Sequence, residues 1–283
     1  MRAFIAALAA AVLSACSPIG LLNATVPSNG TSVTRDVRFS DGPRGTLDIY
    51  RPAASAEPAP LVVFLYGGSW RMGDKSIYPF VATPLASRGA VVVVPDYRVY
   101  PEVAFPDFLR DNARAVAWAF DHAAELGADP NAVFVLGHSA GAYNAAMLAL
   151  DPKWLAAVGV DRARLAGVVG IAGPYDFLPI TGRDIIPVFA SVDGGPLSQP
   201  ITFADGHNPP MLLLAGDADT TVQARNTASL AARIGERGGP VESRVYPGVG
   251  HIGIVTAFAP LFQHNAPVLD DVWQFITARR PQS

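Results

Sequence analysis

Five short, fully apolar runs set the limits on what this chain can fold into. They are LVVFLY (61–66), AVVVVP (90–95), AVFVL (132–136), LAGVVGI (165–171) and MLLLA (211–215). None shows the polar alternation of a strand with one wet face, and all are too short for ordinary helices. They read as strands buried on both faces, the signature of a parallel sheet covered by helices. The segments between them suit those helices: 79–87, 105–126, 140–150, 223–237 and 266–279. The clearest is FPDFLRDNARAVAWAFDHAAEL, with Pro106 and Asp107 at its start and Gly127 past its end. Upstream, TRDVRF and TLDIYR alternate as half-buried antiparallel strands do, and VESRVY (241–246) is a further, more polar strand. The expected fold class is therefore α/β: a mostly parallel central sheet of about eight strands with helices on both faces. One domain spans about 33–281, with an irregular insertion at 173–208 that forms a small cap.

Two strand ends carry chemistry. After AVFVL comes Gly137-His138-Ser139-Ala140-Gly141, followed by the helical stretch AYNAAMLAL. This is the strand–turn–helix setting of a G-x-S-x-G nucleophile elbow, with Ser139 on a tight turn that needs near-zero side chains two residues either side. A serine hydroxyl needs a base. Of the five histidines, His122 lies within a predicted helix, His138 is too near Ser139 in sequence to bend back on it, His207 falls in the insertion, and His264 is near the last helix. His251, in the glycine-rich PGVGHIG after the last strand, has the right chain order and sheet edge. The orienting acid should follow a strand between the two; MLLLAGDADTTV offers Asp217 and Asp219. The order Ser, Asp, His is that of the α/β-hydrolases. The other odd strand end is LVVFLY, which runs into Gly67 and Gly68. Glycine weakens a strand, so the bare backbone serves another purpose there.

With these elements placed, nearly the whole mature length resembles the α/β-hydrolase superfamily. Its nearest branches are esterases related to hormone-sensitive lipase, feruloyl-esterase-like carboxylesterases and kynurenine formamidases. DYRVYPEVAFP (96–106) is similar to the DYRL-x-PE segment after the fourth strand, and YGGSW (66–70) to the HGGGxW or HGGxW loop. The resemblance implies the α/β-hydrolase fold and places the acid of Gly-x-x-Asp-x-x-Val on Asp219, leaving Asp217 to cap a loop or helix. It further implies an oxyanion hole made by the N–H groups of Ala140, Gly67 and Gly68, with Ser69 as a further candidate. Tyr66 departs from the family pattern, which has His there to support the loop. Asp96 and Arg98 are expected in structural polar contacts, and Trp70 in the pocket wall or the core.

The expected activity is that of a carboxylesterase-type serine hydrolase acting on small or short-acyl esters, with Ser139, Asp219 and His251 as the catalytic residues. No cofactor is implied and no metal-ligand spacing occurs. The alternatives are an arylformamidase-type amidase, an exopeptidase-like hydrolase, and a non-catalytic binding protein on a hydrolase scaffold. The insertion lacks a long amphipathic helix for a lipid surface; Phe177, Ile185, Ile186 and Phe189 are its candidates for an acyl pocket. With net charge −3 and no basic block, nucleic acid is not an expected partner.

The N-terminus reads as processing signal. One Arg and an apolar run end in Leu13-Ser14-Ala15-Cys16, which resembles a bacterial lipobox. The expectation is a signal peptide over 1–15, lipidation of Cys16, the chain's single cysteine, and a flexible polar tether to residue 32. The mature protein would then sit in the bacterial cell envelope, held to the membrane by the lipid alone.

Overall fold

All five apolar runs form strands of one sheet in the computed structural model, which describes residues 18–27, 30–53 and 58–280. The strands are β1 (Thr31–Arg38), β2 (Thr46–Pro52), β3 (Ala59–Leu65), β4 (Val91–Pro95), β5 (Ala128–His138), β6 (Gly167–Ile171), β7 (Met211–Gly216) and β8 (Val241–Tyr246). Their order is β1-β2-β4-β3-β5-β6-β7-β8. β1 and β2 are antiparallel, as the alternating sequences predict, and β2 meets β4 antiparallel; every later pair is parallel. β3, β4, β6 and β7 are buried at every position. Only an element with no wet face can be apolar throughout. β8, at the edge, keeps its polar residues in solvent.

Helices supply the cover: α1 (Pro18–Ala24), α2 (Pro79–Ser87), α3 (Asp107–His122), α4 (Ala140–Leu150), α5 (Lys153–Ala156), α6 (Arg225–Glu236), α7 (His251–Thr256) and α8 (Val268–Thr277). α2 packs with α7 and α8, while α3 packs with α4 and α5. α4 is buried at all its positions, which explains why AGAYNAAMLAL is apolar all round. This is the expected α/β-hydrolase fold.

The expected signal peptide over 1–15 and Cys16 lie outside the described residues. Part of the stretch expected as a flexible polar tether is helical, at Pro18–Ala24. Leu22 is buried in the core. The Asn23 side chain donates to Ile77 O at 3.1 Å and accepts from Phe80 N at 3.1 Å. Phe80 is in the first turn of α2, where an N–H has no partner within the helix. The asparagine fills that need and pins α1 to the domain.

The 173–208 insertion is a set of 3-10 turns, at Ile186–Val192, Pro196–Ser198 and Pro200–Phe203. It is fastened down at several points. Tyr143 Oη on α4 donates to Ser198 O at 2.8 Å, Phe177 N donates to Gln199 Oε1 at 2.8 Å, and Val188 O accepts from Phe105 N at 2.8 Å.

Register places the site. Leu65 pairs with Gly137, His138 with Ile171, and Gly216 with Tyr246. The loops after β3, β5, β7 and β8 therefore leave the sheet along one edge.

Candidate active site

Ser139 sits between the last residue of β5 and the first of α4, with φ 56° and ψ −122°. A non-glycine residue in that region is strained, and the surroundings must hold it there. Its N–H donates to Ile171 O at 2.9 Å. The flanking glycines have a direct steric cause: a Cβ on Gly141 would lie 2.0 Å from Leu65 O, and one on Gly137 2.2 Å from Gly141 O.

The sequence-predicted triad residues are brought together. His251 Nε2 lies 2.9 Å from Ser139 Oγ, and His251 Nδ1 lies 2.7 Å from Asp219 Oδ2. The second oxygen of Asp219 accepts the N–H groups of Thr221 and Val222, both at 2.8 Å, so the buried carboxylate cannot swing away. A carboxylate on Nδ1 fixes that nitrogen as the donor and leaves Nε2 to accept the serine proton. Asp217 does not reach the histidine. Its Oδ1 accepts from Gly248 N at 2.6 Å, tying the acid loop to the loop that delivers His251. His251 opens α7 rather than standing within a longer loop.

His138 has a part that the sequence did not reveal. Its ring is buried, and Nε2 lies 3.1 Å from the backbone oxygen of His251. Burial, then the neighbouring His251, lowers its pKa to about 3. The ring is thus neutral near pH 7, and Nε2–H donates to the His251 carbonyl. As the variable position of the elbow, it carries no signal in sequence.

In the glycine loop, Gly68, Ser69 and Trp70 all have positive φ, at 129°, 55° and 56°. A Cβ on Gly68 would lie 2.1 Å from Met72 O. Ser69 lines the cavity with Ser139 and Ala140. Gly67 packs against Ser139, where a Cβ would lie 3.0 Å from that of the serine.

Tyr66 holds this loop from below. Its hydroxyl donates to Asp96 Oδ1 at 2.8 Å and accepts from Arg44 Nη1 at 3.1 Å, while its carbonyl accepts from Tyr97 Oη at 2.7 Å. Its ring stacks on Tyr97 and Tyr78, with centroids 4.6 and 5.6 Å away. Burial raises the phenol pKa well above its usual value, and burial likewise raises that of Asp96. Arg98 forms a two-pronged pair with Asp111, both contacts at 2.8 Å.

A cavity of about 370 Å³ opens above Ser139. Its lining includes apolar Phe177, Pro179, Ile180 and Ile185 from the insertion, and Thr220, Thr221, Val222, Gln223 and Arg225 from the segment after β7. Trp70 serves both core and cavity: it is buried, donates through Nε1 to Asn144 Oδ1 at 3.0 Å, and meets Tyr143 and Phe189 edge-on. Phe177 and Ile185 line the cavity as expected. Phe189 is fully buried beside Trp70, and the exposed Ile186 lines a different depression.

The sequence model of the BD-FAE family matches residues 47–234, a stretch that contains Ser139 and Asp219. A probable isoprenylcysteine α-carbonyl methylesterase, ICMEL1 of Arabidopsis thaliana, is 27% identical over 77% of this chain and 51% of its own. Esterase LipC of Mycobacterium tuberculosis is 31% identical over 71% of this chain and 54% of its own. The chain thus spans about half the length of these two relatives. Among solved structures, esterase B from Lactobacillus rhamnosis, crystallised with a C4-C4 tributyrin phosphonate, superposes with a TM-score of 0.78 at 20% identity. That match covers 98% of this chain and 95% of the other, and it shows a shared fold.

Proposed function

Because the chain belongs to the BD-FAE family, we propose that it is a serine hydrolase that cleaves carboxylic esters through an acyl-enzyme intermediate. The observation that carries this reading is the unbroken relay from Ser139 Oγ through His251 to Asp219, at 2.9 and 2.7 Å. Ser139 Oγ attacks the ester carbonyl carbon while His251 Nε2 takes its proton. Asp219 stabilises the imidazolium without itself becoming protonated. The tetrahedral oxyanion is held by the N–H of Ala140 with those of Gly67 and Gly68 from the glycine loop, and Ser69 N–H is a further candidate. Each such donor is worth roughly 3–4 kcal/mol in the transition state. His251 then gives the proton to the departing alcohol. Water, deprotonated by the same nitrogen, attacks the acyl-serine, releasing the acid and restoring Ser139.

Small, short-acyl esters are the proposed substrates, because the cavity is near the small end of ligand pockets and the cap has no lipid-facing helix. A fluorophosphonate probe tests the chemistry: wild type should be labelled and Ser139→Ala should not. Unlabelled, folded wild type would refute the reading. Turnover of p-nitrophenyl esters of graded acyl length, set beside N-formylkynurenine, tests the substrate class; faster cleavage of the formamide would overturn the ester assignment.

Lipid anchoring at Cys16 in the bacterial envelope is proposed on the lipobox resemblance of LSAC. Metabolic labelling with a clickable fatty acid should mark the wild type. Label retained in Cys16→Ser would end that proposal.

A further inference from the structure

The charged side chain of the cavity is not used by the relay. Among the described residues that line it, Arg225 alone carries a full charge, and neither Asp nor Glu is among them. Arg225 is the first residue of α6, and no acidic residue occupies that helix's first turn. A cation there opposes the helix dipole, so the position does not favour α6 itself. Its contact is modest: Nε donates to Gln223 Oε1 at 3.1 Å. Several other arginines differ. Arg88, Arg98, Arg110, Arg114 and Arg162 each lie against an aspartate carboxylate.

The Gln223 contact does more than occupy a donor. It engages Nε and leaves the two Nη groups, which form the edge suited to a two-pronged carboxylate. Thr220 and Thr221 contribute hydroxyls to the lining. Phe177, Pro179, Ile180 and Ile185 line the same cavity. A ligand that fits such a space has a hydrocarbon part for these side chains and an anion for Arg225.

We propose that the cavity selects esters bearing a second, ionised carboxylate, which Arg225 receives while Ser139 attacks the ester carbonyl. Arg225 is then a specificity-determining residue, and half-esters of dicarboxylic acids or esters of hydroxy acids are the substrate class. This inference rests on the serine-hydrolase reading. Charge attraction at a cavity mouth is partly screened by water and salt, so its contribution to discrimination is roughly two- to fivefold.

The test compares kcat/KM within two pairs. Monoethyl adipate against ethyl hexanoate places the carboxylate on the acyl side; 4-acetoxybenzoate against its methyl ester places it on the alcohol side. In at least one pair, Arg225→Gln should lower the ratio of anionic to neutral substrate by about two- to fivefold. Arg225→Lys should fall between, because an ammonium keeps the charge but not the fork. Half-molar salt should reduce the wild-type ratio and leave that of Arg225→Gln unmoved. If a folded Arg225→Gln protein keeps both ratios within about twofold of wild type, this inference fails alone. If the wild type turns over none of the four esters and takes no fluorophosphonate label, the hydrolase reading fails and this inference with it.

Discussion

Tyr66→Phe isolates what the hydroxyl beneath the glycine loop does. The ring remains, with its stacking on Tyr97 and Tyr78. The change removes one donor to the buried Asp96 carboxylate and one acceptor for Arg44. Arg44 loses little, since it still reaches Gly73 O at 3.0 Å and Tyr97 O at 3.2 Å. Asp96 loses more: Oδ1 is left with the N–H of Lys75 at 2.9 Å. A hydrogen bond to a charged group contributes about 1.5–3 kcal/mol, and a buried acceptor left short adds to the cost of removing it. The expected destabilisation is about 2–3 kcal/mol, which for a domain of this size lowers Tm by roughly 4–10 °C. The hydroxyl stands one layer behind the oxyanion donors, so kcat/KM should fall less than about tenfold, well short of the loss from removing a donor itself. Thermal unfolding by circular dichroism and turnover of p-nitrophenyl butyrate read the two effects. An unchanged Tm would show that the Tyr66–Asp96 contact does not support the loop. Abolished turnover with near-normal Tm would show that the phenol acts in the chemistry itself.

Three further perturbations separate neighbouring roles. Asp219→Asn should cut kcat by about four orders of magnitude by favouring the wrong histidine tautomer, while Asp217→Asn should change it only a few-fold; comparable losses in both would undo the assignment of the acid. Gly141→Ala should prevent native folding, since its Cβ would meet Leu65 O at 2.0 Å, whereas Gly235→Ala, with nothing within 4 Å, should stabilise α6 by up to about 1 kcal/mol in urea melts. His138 has a folded pKa of about 3 against an ordinary 6.5, so the unfolded chain binds the extra proton first. The stability from keeping it neutral is complete above pH 6.5 and is lost as pH falls toward 3, by up to ~5 kcal/mol. His138→Phe should flatten that part of the stability–pH curve, and an unaltered acid limb would contradict the burial argument.

How much of this was legible in sequence varied with the range of the interactions involved. The elbow was legible because its motif is local: a Cβ on Gly137 would meet Gly141 O within the turn, although the atom that excludes one from Gly141 is Leu65 O on β3. His251 was reachable by elimination among five histidines. The choice between Asp217 and Asp219 rested on a family register, since both follow β7. The structure separates them by what each reaches, His251 for one and Gly248 N for the other. The partners of Tyr66 are 22 and 30 residues away in sequence, and His138 meets a carbonyl 113 residues on, so no local pattern announces either.

The sequence by itself determined the two-sided burial of the sheet, the strand–turn–helix that carries Ser139, and the chain order of Ser139, Asp219 and His251. These follow from periodicity and from a motif contiguous in the chain. Only the tertiary structure decided that the Tyr66 hydroxyl reaches Asp96 and Arg44, and that Arg225 lines one cavity with Phe177 and Ile185. Each depends on segments far apart in the chain meeting at one sheet edge, where direction and distance, rather than residue type, settle what a group can do.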